Sequence, residues 1–155
     1  MRYNGSYWWK MKIPKLAYQF VRIRKGLIEN LNYYLLGYSE DSSGKSTIAI
    51  YEFNGKNLKS IYESIYSSQT RASIQAIQGK IYIIIGNTIF RYVNNVYKLI
   101  KEVDMPNFGL GIHGRSEKDI FLRMEDGIAH YNGTDIEYLL KFKGDIYLCG
   151  AMIFD

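Results

Sequence analysis

Cysteine and proline are almost absent from this chain: its 155 residues include one cysteine, Cys149, and two prolines. A lone cysteine cannot close an internal disulfide, so a disulfide scaffold is excluded and the fold must rest on a hydrophobic core. Cys149 lies in the apolar run IYLCGAMIF and reads as a small buried side chain. Histidine is also scarce. His113 and His130 are the only two, too few for a metal cluster without carboxylates at recognised spacing. No apolar run approaches the roughly 20 residues that a membrane-spanning helix needs, and no long stretch has helical periodicity. The net charge of +5 is modest. Its lysines and arginines are scattered, whereas a nucleic-acid partner calls for a dense basic stripe.

What the chain does contain is tyrosine, 15 in all, and abundant isoleucine, both favoured in strands. The stretch DIFLRMEDGIAHYNGTDIEYL at 119–139 shows how they are arranged. Two apolar runs are separated by Glu125-Asp126-Gly127, and Asn132-Gly133 divides the second from a third run around Ile136 and Leu139. Asn-Gly between strand-like runs predicts a type I′ hairpin turn, with positive φ at both central residues.

The pattern recurs. Steps of 39 residues back from Tyr131 land on Tyr92 and Phe53. The same step relates Ile50, Ile89 and Ile128, then Gly55, Asn94 and Gly133, then Leu58, Tyr97 and Ile136, and then Ile61, Ile100 and Leu139. A partial copy opens the chain, where Tyr3-Asn4-Gly5 is followed by Trp8 and Met11. In the first full copy a polar insert at 39–46, SEDSSGKS, separates strands expected at 33–38 and 47–53. Ahead of them, 16–23 reads as a strand and 26–32 as a turn. The run at 81–85 is apolar on both faces, whereas a strand in a singly solvated sheet alternates. It predicts burial from both sides.

A period near 40 residues with several strands per unit is the mark of a β-propeller or a related array. The expected fold is therefore all-β, with β-propeller-type repeats of about 39–40 residues forming three complete four-stranded blades and partial blades at both ends. The single propeller segment, 1–155, divides into 1–13 as the end of a blade, 14–66, 67–102 and 103–142 as three blades, and 143–155 as the first strand of another. Closed propellers have about four to eight blades, so the chain needs further blades or self-association to close a ring. The sequence favours a fragment of a larger propeller.

At DIFLRMEDGIAHYNGT the chain resembles the propeller repeats of bacterial YVTN, Asp-box-like and WD40-like proteins, in which an Asp-apolar-aromatic strand, a glycine and an aromatic-Asn-Gly turn follow one another. The Asp-box pattern itself is absent, as are the Gly-His and Trp-Asp signatures. The resemblance implies a binding platform for proteins or glycans, in a parent protein that is secreted or on the cell surface. MRYNGSYWWK at the N-terminus reads as repeat sequence, not as a signal peptide, so the compartment stays open.

Two strings suggest nucleotide binding, and context removes both. Gly109-Leu110-Gly111-Ile112-His113-Gly114 spells G-x-G-x-x-G, but a proline-containing turn precedes it and the strand-like RSEKDIFL follows, where a dinucleotide site needs a helix. Gly44-Lys45-Ser46 resembles the end of a phosphate loop, yet Ser39 stands where the first glycine belongs. No cofactor is expected. The sequons Asn4-Gly5-Ser6 and Asn132-Gly133-Thr134 coincide with the repeat's turn, which already explains them. His130 falls where earlier repeats have Glu52 and Arg91, so this position accepts polar side chains, facing solvent or pairing with a neighbouring blade. In Tyr7-Trp8-Trp9, Trp8 takes the apolar repeat position, and Tyr7 or Trp9 is left to stack on a sugar. Asp104, Glu125 and Asp126 lie in turns and do not form the opposed carboxylate pair of a glycosidase.

The expected function is a non-catalytic binding or scaffold module for a protein or carbohydrate ligand, with no nucleic acid and no membrane span. The alternative is a fragment of a glycoside-processing hydrolase whose catalytic residues lie mostly outside the chain. Propeller geometry puts the ligand on the axial-face loops, through Arg71, Asp104, Asn107 and Glu125.

Overall fold

The computed structural model describes residues 2–3, 6–9, 22–29, 32–40, 42–67, 70–105 and 111–143. Among them the fold is all-β, without a helix. Fourteen strands follow in chain order: β1 (Arg2–Tyr3), β2 (Trp8–Trp9), β3 (Arg22–Glu29), β4 (Asn32–Glu40), β5 (Lys45–Phe53), β6 (Leu58–Ser67), β7 (Ala72–Ile77), β8 (Lys80–Ile85), β9 (Thr88–Val93), β10 (Val96–Glu102), β11 (Gly111–Ser116), β12 (Asp119–Arg123), β13 (Gly127–Tyr131) and β14 (Ile136–Lys141). After the short β1–β2 pair they form three four-stranded antiparallel sheets, β3–β6, β7–β10 and β11–β14, each with its strands in sequence order. Short connections between β-rich runs leave antiparallel neighbours as the simplest pairing.

The 39-residue spacing is a spacing of structural positions. Ile81 pairs with Tyr92 in the second sheet, and Ile120 pairs with Tyr131 in the third. Each outer strand also carries one irregularity. The register shifts opposite Ile50/Tyr51, at Leu99/Lys101 and opposite Ile128/Ala129, so Ile61, Ile100 and Leu139 are each the extra residue of a β-bulge.

The sheets stack face to face, with the second in the middle. One core joins Tyr34, Leu36, Ile48 and Ile50 of the first sheet to Ile74, Ile81, Ile83 and Ile85 of the second. The other joins Tyr82, Ile84 and Ile89 of the second to Ile112, Ile120, Leu122 and Ala129 of the third. Strand β8 therefore sends alternate side chains into two different cores, and Ile83 and Ile84 both have 0% exposure. This is the burial from both sides that the unbroken apolar run predicts. At one edge of the stack, β7 lies against both β3 and β11. A Cβ on Gly114 of β11 would sit 2.7 Å from Ile77 Cδ1 of β7, so close approach of the first strands accounts for this glycine.

Polar side chains also bridge the sheets. Glu117, in the β11–β12 turn, pairs with Lys80 and, at 2.7 Å, with Arg91. Lys59 Nζ donates to Asn95 Oδ1 at 3.0 Å, and Lys101 Nζ donates to the Thr134 carbonyl at 2.8 Å. Arg91 is thus paired with a neighbouring sheet, one of the two fates expected for its repeat position.

Three local expectations change. The turn expected at 26–32 lies largely in strand β3, whose register runs from Arg22–Tyr38 to Glu29–Asn32; pairing with β4 overrides the turn propensity of Gly26. Of the strand expected at 16–23, residues 16–21 lie outside the described residues. Half of the polar insert pairs, with Ser39 opposite Thr47 and Glu40 opposite Ser46, and so lengthens the hairpin. The two-residue turn also moves. In the third sheet β13 and β14 are joined by the four residues 132–135; Gly133 has φ of 101°, and Asn132 Oδ1 accepts from the Thr134 and Asp135 amides, both at 2.9 Å. Two-residue turns with two positive φ values fall instead in the second sheet, at Gln78-Gly79, at 47° and 73°, and at Asn94-Asn95, at 50° and 63°.

Candidate functional site

Strands β4 and β5 of the first sheet and the turns of the second enclose a polar cleft of about 220 Å³. It is lined by Tyr34 and Glu52 on one side and by Gly79, Tyr92, Asn94 and Asn95 on the other. Tyr34 and Glu52 are direct neighbours across β4 and β5, so their side chains project from the same face. The two asparagines are there because the β9–β10 turn requires positive φ, which asparagine tolerates.

The cleft's polar groups are held in place. Glu52 Oε1 accepts from Asn32 Nδ2 at 2.7 Å and from the Tyr34 hydroxyl at 2.9 Å. Both bonds fall on one oxygen, leaving Oε2 as an acceptor for a ligand. Across the cleft the Tyr92 hydroxyl donates to Asn95 Oδ1 at 2.9 Å, the same oxygen that Lys59 reaches. Asn95 Nδ2 is therefore oriented as a donor. Burial first, and then the Glu52 carboxylate, push the Tyr34 hydroxyl up to about 12, so it stays protonated. Behind Tyr92, the Tyr97 ring packs at 4.9 Å from it and at 5.4 Å from Tyr62, tying the cleft wall to both sheets. The wall thus offers fixed hydrogen-bond donors and acceptors against aromatic rings.

The residues expected on the axial-face loops are not part of this cleft. Arg71 immediately precedes β7 and Asp104 follows β10, at the end of the second sheet where β9 begins. Both are exposed. Gly79 follows β7, so strand length alone puts Arg71 and the cleft about 20 Å apart. Glu125 is in the β12–β13 turn of the third sheet, and Asn107 lies outside the described residues. No hydrogen bond or ion pair joins Arg71, Asp104 and Glu125 to one another. Asp126, next to Glu125, accepts from the Tyr138 hydroxyl at 2.7 Å and ties the turn to β14.

The third sheet carries a second polar group on the face turned away from the second sheet. Cross-strand pairing puts His113, Phe121, His130 and Glu137 in one row. His130 Nε2 is 2.8 Å from Asp119 Oδ1, and Arg115 Nε donates to Asp119 Oδ2 at 2.6 Å. The His130 ring packs on Phe121 at 4.9 Å. The Arg115 bond, and then the His130 bond, hold the Asp119 carboxyl below the usual carboxylate range. A carboxyl with a depressed folded pKa adds stability above its unfolded value of about 4 and loses it as pH falls through the folded value. Asp119→Asn should therefore destabilise the protein at about pH 7 and much less at about pH 2. Urea unfolding at both values tests this, and equal losses would contradict it.

Among the described residues no three His, Cys, Asp or Glu side chains converge to hold a metal, and no helix is long and apolar enough to cross a membrane. The G-x-G-x-x-G string is described from Gly111 onward, as strand β11 followed by a turn and β12. Cys149 and the Asn4-Gly5 turn lie outside the described residues, as do the side chains of Trp8 and Trp9, while Tyr7 is 62% exposed. No protein-family model, curated protein or solved structure matches the chain.

Proposed function

We propose that the chain is a β-propeller-type binding module and that the cleft between its first two sheets takes a small polyhydroxylated ligand, a single carbohydrate ring. The propeller reading draws support from the 39-residue repeat, the three stacked meander sheets and the gathering of β3, β7 and β11 at one edge. The carbohydrate reading rests on one observation. The cleft has a carboxylate oxygen, two tyrosine hydroxyls and an oriented amide within about 220 Å³, below the roughly 300–1,000 Å³ of drug-sized ligand sites. Alternating donors and acceptors suit the hydroxyls of a sugar, and the tyrosine rings suit its C–H faces.

The test is an amide-resolved NMR titration with glucose, galactose, mannose and N-acetylglucosamine. At least one sugar should shift Gly79, Asn94 and Asn95 together. Glu52→Gln should weaken that sugar about tenfold or more, since a hydrogen bond to a charged group contributes about 1.5–3 kcal/mol. Shifts confined to the loops bearing Arg71 and Asp104 would move the site to the opposite end of the sheets. No shift with any of the four sugars would reject the carbohydrate reading.

A further inference from the structure

Glu52, Arg91 and His130 hold one position of the 39-residue repeat, and two of the three have an opposite charge in place. Arg91 pairs with Glu117, and His130 lies against Asp119. Glu52 differs. Its two bonds come from neutral donors, the Asn32 amide and the Tyr34 hydroxyl, and both end on Oε1. Lys59 is its neighbour across β5 and β6, but the Lys59 ammonium is spent on Asn95 Oδ1. Among the described residues no cation pairs with Glu52, a half-buried carboxylate. An uncompensated charge is costly in such a place.

Glu52 is also the one charged side chain among the described residues that line the cleft. Its field reaches the other wall. After burial, the Glu52 carboxylate is the next cause that raises the Tyr34 and Tyr92 hydroxyls. A neutral hydroxyl at Oε2 would satisfy an acceptor and leave the charge standing. An ammonium group would do both, because an N–H donor and a carboxylate that are both ionised form a bond about twice as strong as a neutral pair. A carboxylated ligand would be repelled.

We infer, resting on the carbohydrate reading of this cleft, that its ligand is an amino sugar: a hexose ring whose free ammonium donates to Glu52 Oε2, with hydroxyls left for the Tyr92 and Asn95 side of the cleft. The test is an amide-resolved NMR titration of the full chain at about pH 6, where an aliphatic amine is protonated. The probes are glucosamine, glucose, N-acetylglucosamine, glucuronate and ethylammonium. Glucosamine should shift Gly79, Asn94 and Asn95 and bind at least about tenfold more tightly than glucose or N-acetylglucosamine, with glucuronate weakest. This ranking needs no variant. Glu52→Gln keeps an acceptor for Asn32 and Tyr34, and it should bring glucosamine and glucose within about threefold of each other.

Glucosamine and glucose binding equally at these amides would overturn the inference and leave the carbohydrate reading standing. A preference for glucosamine that survives Glu52→Gln would overturn it in the same way, as would glucuronate binding more tightly than glucose. Ethylammonium binding as tightly as glucosamine, or no shift with any probe, would overturn both.

Discussion

Replacing Gly127 with alanine is expected to destabilise the protein by about 3 kcal/mol or more, although the change adds a single methyl group. Gly127 begins β13 and lies opposite Lys141 at the end of β14. A Cβ there would run into the Leu140 carbonyl oxygen, with the Leu140 carbonyl carbon and Lys141 Cα each 3.1 Å away. All three atoms are backbone, so no side-chain rotation relieves the clash. The strand end is also pinned, because the Phe142 amide donates to the Asp126 carbonyl at 2.7 Å and the Met124 amide to the Gly127 carbonyl at 2.9 Å. Either β14 shifts away or both bonds stretch. Gly55→Ala is the natural comparison. Its φ of 93° makes alanine strained, yet nothing lies within 4 Å of the added carbon, so the cost should be about 1 kcal/mol. Urea unfolding of the two variants decides the matter. If Gly127→Ala came within about 0.5 kcal/mol of the parent chain, β14 could not be held as described.

Ile83→Ala and Ile84→Ala should each cost about 2–5 kcal/mol, by loss of transfer energy and by the cavity left behind. The two residues are adjacent on β8 and point in opposite directions, Ile83 into the core shared with the first sheet and Ile84 into the core shared with the third. In a sheet covered on one side, one of the two substitutions would be nearly neutral. Here both should lower the melting temperature, by roughly 2–4 °C per kcal/mol for a chain of this size. Leu99→Ala, at a half-exposed site on β10, should stay within about 0.5 kcal/mol. If either isoleucine variant behaved like Leu99→Ala, the sandwiched position of the second sheet would be wrong.

The repeat was legible because strand structure is written in period two and in the residue types around turns. Strands 80–85, 88–93 and 96–102 fall almost where the apolar runs place them. β3 departs from its local propensity for a physical reason. RIRKGLIE at 22–29 contains a glycine and four charges, so its local propensity favours a turn, and only its pairing with β4 makes it a strand. The turn chemistry was legible in kind but not in length. Gly55, Asn94 and Gly133 all take positive φ as their residue types suggest. Whether two or four residues close the hairpin depends on side-chain caps such as Asn132, which sequence spacing does not reveal.

The candidate cleft was not legible at all. Glu52 stood out only as the counterpart of Arg91 and His130, a position that varies in charge. Its three versions have three different surroundings: Glu52 accepts from Asn32 and Tyr34 in its own sheet, Arg91 reaches Glu117 of the next sheet, and His130 meets Asp119 on the face turned away from the second sheet. The sequence by itself determined the all-β class, the 39-residue repeat of strand positions and the two-sided burial of β8, because these follow from local periodicity and hydrophobicity. Tertiary structure alone decided which polar groups share a cleft. That depends on what stacks against each sheet, and residues 39 positions apart can be alike in sequence yet face different neighbours.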